Sequence, residues 1–409
     1  MGLARHRDMR QPAPPGRDHA PLSCFRLLLQ APGRRPALRR FGGLQRSTAS
    51  QPAPIFNDGD FAPAAAIDAS QVFAIDETMR QYVRTQVRRE ARNKNDRAAL
   101  YDALYDKSRL KLEYDAAMTR NARETFAARQ GNCLSLVIMT AALAHEMGLQ
   151  VRYQEVLGEE SWSRSGDMYF VAGHVNLVLG QRLDDKSGRY DAKGMMVIDF
   201  LPSAEIGGYR TRELDEATVL AMYMNNRAAE TMSEGQLNQA YWWARAALLQ
   251  DPSFSGAYNT LGVIQFRHGD LAQARRTFAH ALTRTPDNTV LLSNLAQVLE
   301  ASGLPEEALP LRRRLLALQP QPPFHYFNLG KAAMQQNDYV RAIQLFSREI
   351  ARDPYYHEFH FWLAQAYARL GQMEQAGKQL ELAMNNSTTR SDHTLYAAKL
   401  QRLRAVTTH

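Results

Sequence analysis

The sequence predicts two architectures in series: an α+β domain over residues 72–212, then an all-α array of helical hairpins over residues 221–386. Three observations predict it. Proline recurs every 34 residues, at Pro252, Pro286, Pro320 and Pro354. An apolar run from Leu134 to Met147 is followed by three strand-like runs, QVRYQEVL (150–157), MYFVAGHVNLVLG (168–180) and MMVIDF (195–200). Residues 1–54 show neither pattern.

Residues 1–54 are rich in Arg, Pro and Gly and bury too little apolar surface to offset the entropy of ordering, so a disordered extension is expected. Residues 1–50 hold ten arginines, no lysine and two aspartates, which is the whole net charge of +8; the rest of the chain balances 40 basic against 40 acidic side chains. A folded part with no charge excess lacks a broad phosphate-binding surface, so nucleic acid is not an expected partner. The run CFRLLLQ falls short of the roughly 7–15 apolar residues of a secretory signal. No run approaches the roughly 18 apolar residues of a membrane span. The expected location is the cytoplasm, with export or organelle targeting by the Arg-rich extension left open. The two cysteines, Cys24 and Cys133, make no disulfide framework and are compatible with a reducing compartment.

Within the α+β domain, residues 75–107 read as two helices. Gly131-Asn132 breaks the helix before it and can cap the next, which places Cys133 in the first turn of the apolar helix. A cysteine there faces unpaired N–H groups and the positive end of the helix dipole, which favour thiolate and can receive an oxyanion. His174 lies mid-strand, and Asp199, on a neighbouring strand-like run, is placed to fix its tautomer. Taken singly, each residue has a structural reading: a core cysteine, a hydrogen-bonded strand histidine and a turn-capping aspartate. Gln130 and Asn132 are candidate oxyanion donors, and either could equally be a helix cap. His145 is twelve residues along the same helix, about 18 Å away at 1.5 Å per residue, and cannot serve as the base. With no Cys/His cluster and no Gly-rich phosphate loop, neither metal nor cofactor is expected.

In the hairpin array, Ala240, Ala274, Ala308 and Ala342 each precede a repeating proline by twelve residues, and Ala376 continues the series. Small residues at that place suit a close helix crossing. Gly235, Gly269, Gly303, Asn337 and Gly371 fall between the two helices of each unit, where a left-handed residue ends a helix. Leu261-Gly262, Leu295-Ala296, Leu329-Gly330 and Leu363-Ala364 keep the period, as do Phe278 and Phe346.

This 34-residue pattern resembles the tetratricopeptide repeat family over about residues 221–386, in five units, with a capping helix near 392–405 inside the tail 387–409. In that family the first helix of each unit lines a concave groove. The resemblance maps the groove to Asn225, Asn259, Ser293, Phe327 and Phe361, with Lys331 one turn beyond Phe327, and implies a protein or peptide partner; the aromatics Phe324, Tyr326, Phe327, Phe359, Phe361 and Trp362 read alternatively as mostly inter-repeat core. The stretches RQGNCLSL, GLQVRYQEV, GHVNLVL and VIDFLP resemble the transglutaminase-like cysteine superfamily, related in architecture to papain-type proteases, over about residues 75–212. That resemblance implies Cys133 as nucleophile, His174 as general base then acid, and Asp199 as its orienter. Leu134 and Asn176 depart from it, standing where well-studied members commonly carry aromatics. The fusion of the two is similar to bacterial proteins that join such a domain to tetratricopeptide repeats.

Two functions are therefore expected. One is a thiol hydrolase or transamidase acting on peptide or protein amides, its repeats presenting a polypeptide. The other is a non-catalytic adaptor with a relic domain. About twenty residues, partly helical in RELDEATVL, separate the last strand from the first repeat, so a fixed relation between the parts is expected.

Overall fold

A computed structural model describes residues 26–29, 55–92, 94–105, 110, 112–115, 118–165, 168–182, 195–200, 210–387 and 389–407. They fall into two compact units, one within Ala20–Pro322 and the other from Pro323 onward.

The first unit begins with β1 (Arg26–Leu29). Helices α1 (Glu77–Tyr82) and α2 (Arg88–Ala91) are joined by a π-helical turn, Val83–Val87, and α3 (Asp96–Tyr105) follows. Next come β2 (Glu113–Tyr114), α4 (Ala122–Ala128), β3 (Gln130–Gly131) and α5 (Cys133–Glu146). Then β4 (Leu149–Ser165), β5 (Met168–Arg182), β6 (Met196–Ile198) and β7 (Arg210–Leu214) build a sheet in the order β1-β5-β4-β7, with β6 also on β5. Strands β2 and β3 form a separate parallel pair. Helix α5 has no charged residue before its last turn and is buried from Cys133 to Ala144, as its unbroken apolar run requires.

Several expectations change here. Residues 26–29, expected to be disordered, form β1 along residues 168–171 of β5; an uncovered strand edge offers a row of backbone donors and acceptors to any extended segment. The remainder of 1–54 and the turn DDKSGRYDAKG lie outside the described residues. Strand β4 runs past residue 157 to Ser165 because GEESWSRS folds back on β5, pairing Ser161–Ser165 with Ala172–Met168 across a register shift. Arg212–Leu214, read as helical from RELDEATVL, is strand β7, pairing with Tyr153–Glu155 of β4; the ladder outweighs the local helix propensity. Asp199 stands just beyond β6 rather than within it.

Three hairpins complete the first unit: α6 (Glu216–Ser233) with α7 (Leu237–Gln250), α8 (Ser255–His268) with α9 (Leu271–Arg284), and α10 (Thr289–Ala301) with α11 (Pro305–Leu318). Helix α6 is tied to the α+β elements. The Thr119 N–H donates to Glu230 Oε1 at 2.7 Å, Asn226 Nδ2 donates to Thr119 Oγ1 at 3.2 Å, and Tyr153 donates to Glu216 at 3.4 Å. One apolar core runs from Phe61 through Leu214 to Ala308. In the second unit, α12 (His325–Gln335) pairs with α13 (Tyr339–Arg352) and α14 (His357–Arg369) with α15 (Met373–Asn385). Helix α16 (Arg390–Thr407) then covers α15 with Leu400 and reaches His357 of α14 through Tyr396.

The repeat markers act as the sequence suggested. Gly235, Gly269, Gly303 and Gly371 have φ of 81°, 94°, 76° and 75°, and Asn337 takes φ 60° in the one turn that lacks glycine. Ala240, Ala274, Ala308, Ala342 and Ala376 are all buried. Gly262 and Gly330 also follow from packing. A Cβ at Gly262 would come within 2.7 Å of the Phe278 ring, and one at Gly330 within 2.5 Å of Phe346. The units that carry Ala296 and Ala364 instead place Arg312 and Leu380 at the phenylalanine position. No helix among the described residues is long and apolar enough to cross a membrane.

Candidate functional site

The GNC triplet has a distinct physical task at each residue. Gly131 sits so close to α5 that a Cβ there would meet Ser135 Cβ at 2.7 Å. Asn132 is the N-cap of α5: its Oδ1 accepts from the Ser135 N–H at 2.9 Å, and its Nδ2 donates to Thr119 Oγ1 at 2.8 Å. That side chain is committed to the cap, which removes it as a free oxyanion donor. Cys133 is therefore the first residue of the helix, and it is fully buried. Its thiol lies 3.9 Å from the Tyr114 hydroxyl. Gln130 is half-buried on β3, in register with Glu113 of β2.

His174 and Asp199 meet. His174 Nε2 is 2.7 Å from Asp199 Oδ1, and both side chains are almost wholly buried. Strand geometry supplies a further partner, because residues two apart share a face. Asn176 Nδ2 accordingly donates to Asp199 Oδ2 at 2.8 Å, so each carboxylate oxygen has its own donor. The Tyr105 hydroxyl donates to the Asp199 carbonyl. The other nitrogen of His174, Nδ1, is buried and makes no hydrogen bond. Burial works against the imidazolium, but the Asp199 hydrogen bond and the neighbouring Cys133 outweigh it and push His174 up to about 10. Burial, reinforced by Cys133, holds the Tyr114 phenol well above its usual range and thus protonated.

The structure thus brings Cys133, His174 and Asp199 together from α5, β5 and the end of β6. Sequence reasoning missed Tyr114, Tyr105 and the positive contribution of Asn176. The His-Val-Asn spacing was the available signal for Asn176; Tyr105 and Tyr114 carried none, since only the tertiary fold delivers them.

Of the two readings of the row from Asn225 to Phe361, groove or inter-repeat core, burial favours the core. Asn225, Asn259 and Phe327 are buried, and Ser293 and Phe361 are half-buried. In the first unit this row lies between successive first helices: Asn294 Nδ2 of α10 donates to Asn259 Oδ1 of α8 at 2.8 Å. In the second unit Phe327 packs among Phe346, Phe359 and Trp362, with ring centroids 5.8, 5.1 and 6.4 Å away. Phe361 packs on Tyr396 of α16 at 5.2 Å. Lys331 is half-buried, its ammonium 5.5 Å from the Phe327 ring centre and 5.4 Å from that of Trp362.

The hairpins are of a recognised class. Tetratricopeptide repeat family models match residues 243–289 and 293–357, and residues 333–403. Residues 243–289 and 293–403 are thus tetratricopeptide-type repeats. Similar solved structures include YrrB, described as a TPR protein with an unusual peptide-binding site, at 24% identity, covering 44% of this chain and 92% of that one, with a TM-score of 0.24. Another is TTC0263, a thermophilic TPR protein of Thermus thermophilus, at 18% identity over 44% of this chain and 99% of that one, TM-score 0.30. A third is MamA from Desulfovibrio magneticus RS-1, at 17% identity over 42% and 96%, TM-score 0.25. No curated protein matches the chain.

Proposed function

We propose that the protein binds a polypeptide through its repeats and carries, in the α+β part, a thiol acyl-transfer site acting on a peptide or protein amide. Cys133 is the nucleophile, His174 the base then the acid, and Asp199 the group that orients the imidazole. One observation carries this reading: the His174 ring divides its duties. Nε2 is held by Asp199, while Nδ1 is left without a hydrogen bond and the thiol of Cys133 acts on the same ring. With its pKa pushed up to about 10, the ring so held rests as the imidazolium beside Cys133 and carries the proton that it gives to a leaving amine. Water or an amine resolves the acyl-enzyme, giving a hydrolase or a transamidase. The resemblance of GNCLSL, GHVNLVL and VIDFLP to the transglutaminase-like superfamily supports the assignment.

Alkylation by iodoacetamide in a Cys24→Ser background tests it. Cys133 should react at pH 6–7, and His174→Ala should slow it by on the order of a hundredfold. Equal rates in the two proteins sink the enzyme reading. The full burial of Cys133 favours a second reading, a non-catalytic adaptor with a relic domain. That reading requires Cys133 to resist alkylation in the native chain, and Cys133→Ala to leave partner binding unchanged.

A further inference from the structure

Residues 55–62, IFNDGDFA, are held by α7, α8 and Asp270, the N-cap of α9, through main-chain and side-chain groups together. Gln265 Nε2 donates to the Ile55 carbonyl at 2.9 Å, and the Asn57 N–H donates to Tyr241 Oη at 3.0 Å. The Ala62 N–H donates to Asn238 Oδ1 at 3.0 Å, while Trp242 Nε1 donates to the Ala62 carbonyl at 2.7 Å. Asn57 Nδ2 reaches Asp270 Oδ2 at 3.1 Å. Between these anchors Asp58–Asp60 forms a 3₁₀ turn, in which side chains three apart eclipse. Asp58 and Phe61 consequently face the helices together. Asp58 Oδ1 accepts from Tyr241 Oη at 2.6 Å and from Arg245 Nε at 2.9 Å. Phe61, 4% exposed, stacks on Tyr241 with centroids 3.9 Å apart and planes within 4°, and lies 4.4 Å from His268.

The repeat fold does not demand these residues. One period on from Tyr241, Trp242 and Arg245 stand Arg275, Arg276 and Ala279. The first hairpin therefore carries a set of aromatic, cationic and amide groups absent from its neighbour, and a segment of complementary charge and shape is seated on it.

We infer that the α7–α9 surface is a peptide-recognition site, filled in this chain by its own residues 55–62, whose ligand is an acidic segment that makes a 3₁₀ turn and carries an aromatic residue three places after an aspartate. The seated segment is tethered, so its effective concentration is on the order of millimolar, and a free peptide of the same pattern must exceed that to enter.

The test uses the full chain with Asp58→Ala and Phe61→Ala, and a fluorescein-labelled peptide of residues 55–64. This variant should bind the peptide saturably, and the unsubstituted chain at least about tenfold more weakly; adding Arg245→Ala should cost roughly tenfold. A folded variant that binds no peptide, or binds it no better than the unsubstituted chain, overturns the inference. Should the variant not fold, hydrogen exchange on the unsubstituted chain decides. Several millimolar unlabelled peptide must speed exchange at the Asn57 and Ala62 amides, and unchanged exchange overturns the inference.

Discussion

The helical hairpins and the α+β part differ in what they bury. At their crossings the hairpins bury a repeated alanine, and in two units a glycine seated under a phenylalanine ring. The α+β part gathers a phenol, a thiol, an imidazole, an amide and a carboxylate in one place. Buried polar atoms without a hydrogen bond, each costing about 1–3 kcal/mol, occur in both regions: Asn176 Oδ1 in the α+β part, and Trp243 Nε1 and Thr260 Oγ1 in the hairpins. The hairpins repeat one small-residue crossing, whereas the α+β part concentrates titratable groups at a single place. That difference is why the proposed acyl transfer falls on one region and the proposed polypeptide binding on the other.

The sharpest way to break the comparison is to remove one partner of the buried pair. Asp199→Ala strands His174 and releases Asn176, and should cost about 3–5 kcal/mol in urea unfolding. His174→Ala combined with it should cost clearly less than the sum of the two single changes. Additive costs would mean the pair is not coupled. The same pair predicts a pH dependence. The folded pKa of His174, about 10, lies above its ordinary 6.5, so the protonated ring stabilises the fold. Its contribution is complete below pH 6.5 and is lost as pH rises through about 10. Asp199→Asn should flatten that decline in a urea-midpoint series, and an unchanged slope would remove His174 as its source.

A change of middle size probes the hairpins. Gly262→Ala pushes a methyl group into Phe278 and should cost about 1–3 kcal/mol, recovered in part by adding Phe278→Leu. The unit with Ala364 and Leu380 already shows the rescued pairing. No rescue would mean that something other than this ring fixes Gly262.

Legibility in the sequence follows the same division. In the repeats, proline, alanine and glycine recur at fixed spacing, so each position is sampled several times and the helices can be placed from sequence. The side of each first helix that faces solvent is not sampled that way. The Asn225-to-Phe361 row was open to a groove reading and, for its aromatics, a core reading, and packing between helices buries most of it. In the α+β part, Cys133, His174 and Asp199 were readable because each sits oddly in its context: a cysteine behind Gly-Asn, and polar residues inside apolar strands. Tyr105 and Tyr114 were not readable, since neither is near the site in sequence. Strand β7 was hidden because RTREL has a helix-like composition and becomes a strand only by pairing with β4.

The last prediction concerns the seam between the two regions. Glu230 of α6 accepts the Thr119 N–H at 2.7 Å and Arg227 Nη1 at 2.9 Å, yet its burial outweighs both and pushes its carboxyl up to about 7. A carboxyl raised above its ordinary 4.5 favours folding in its protonated form. That contribution is complete below pH 4.5 and fades as pH rises through 7. Glu230→Gln keeps an acceptor for Thr119 while fixing the side chain as neutral. The variant should therefore gain stability relative to the parent chain as pH rises from 4.5 to 7, most clearly at high salt, where the surface charges around Arg227 are screened. A difference that stays flat across that range would show that water reaches the carboxylate, and that α6 meets the α+β part less tightly than the Thr119 contacts indicate.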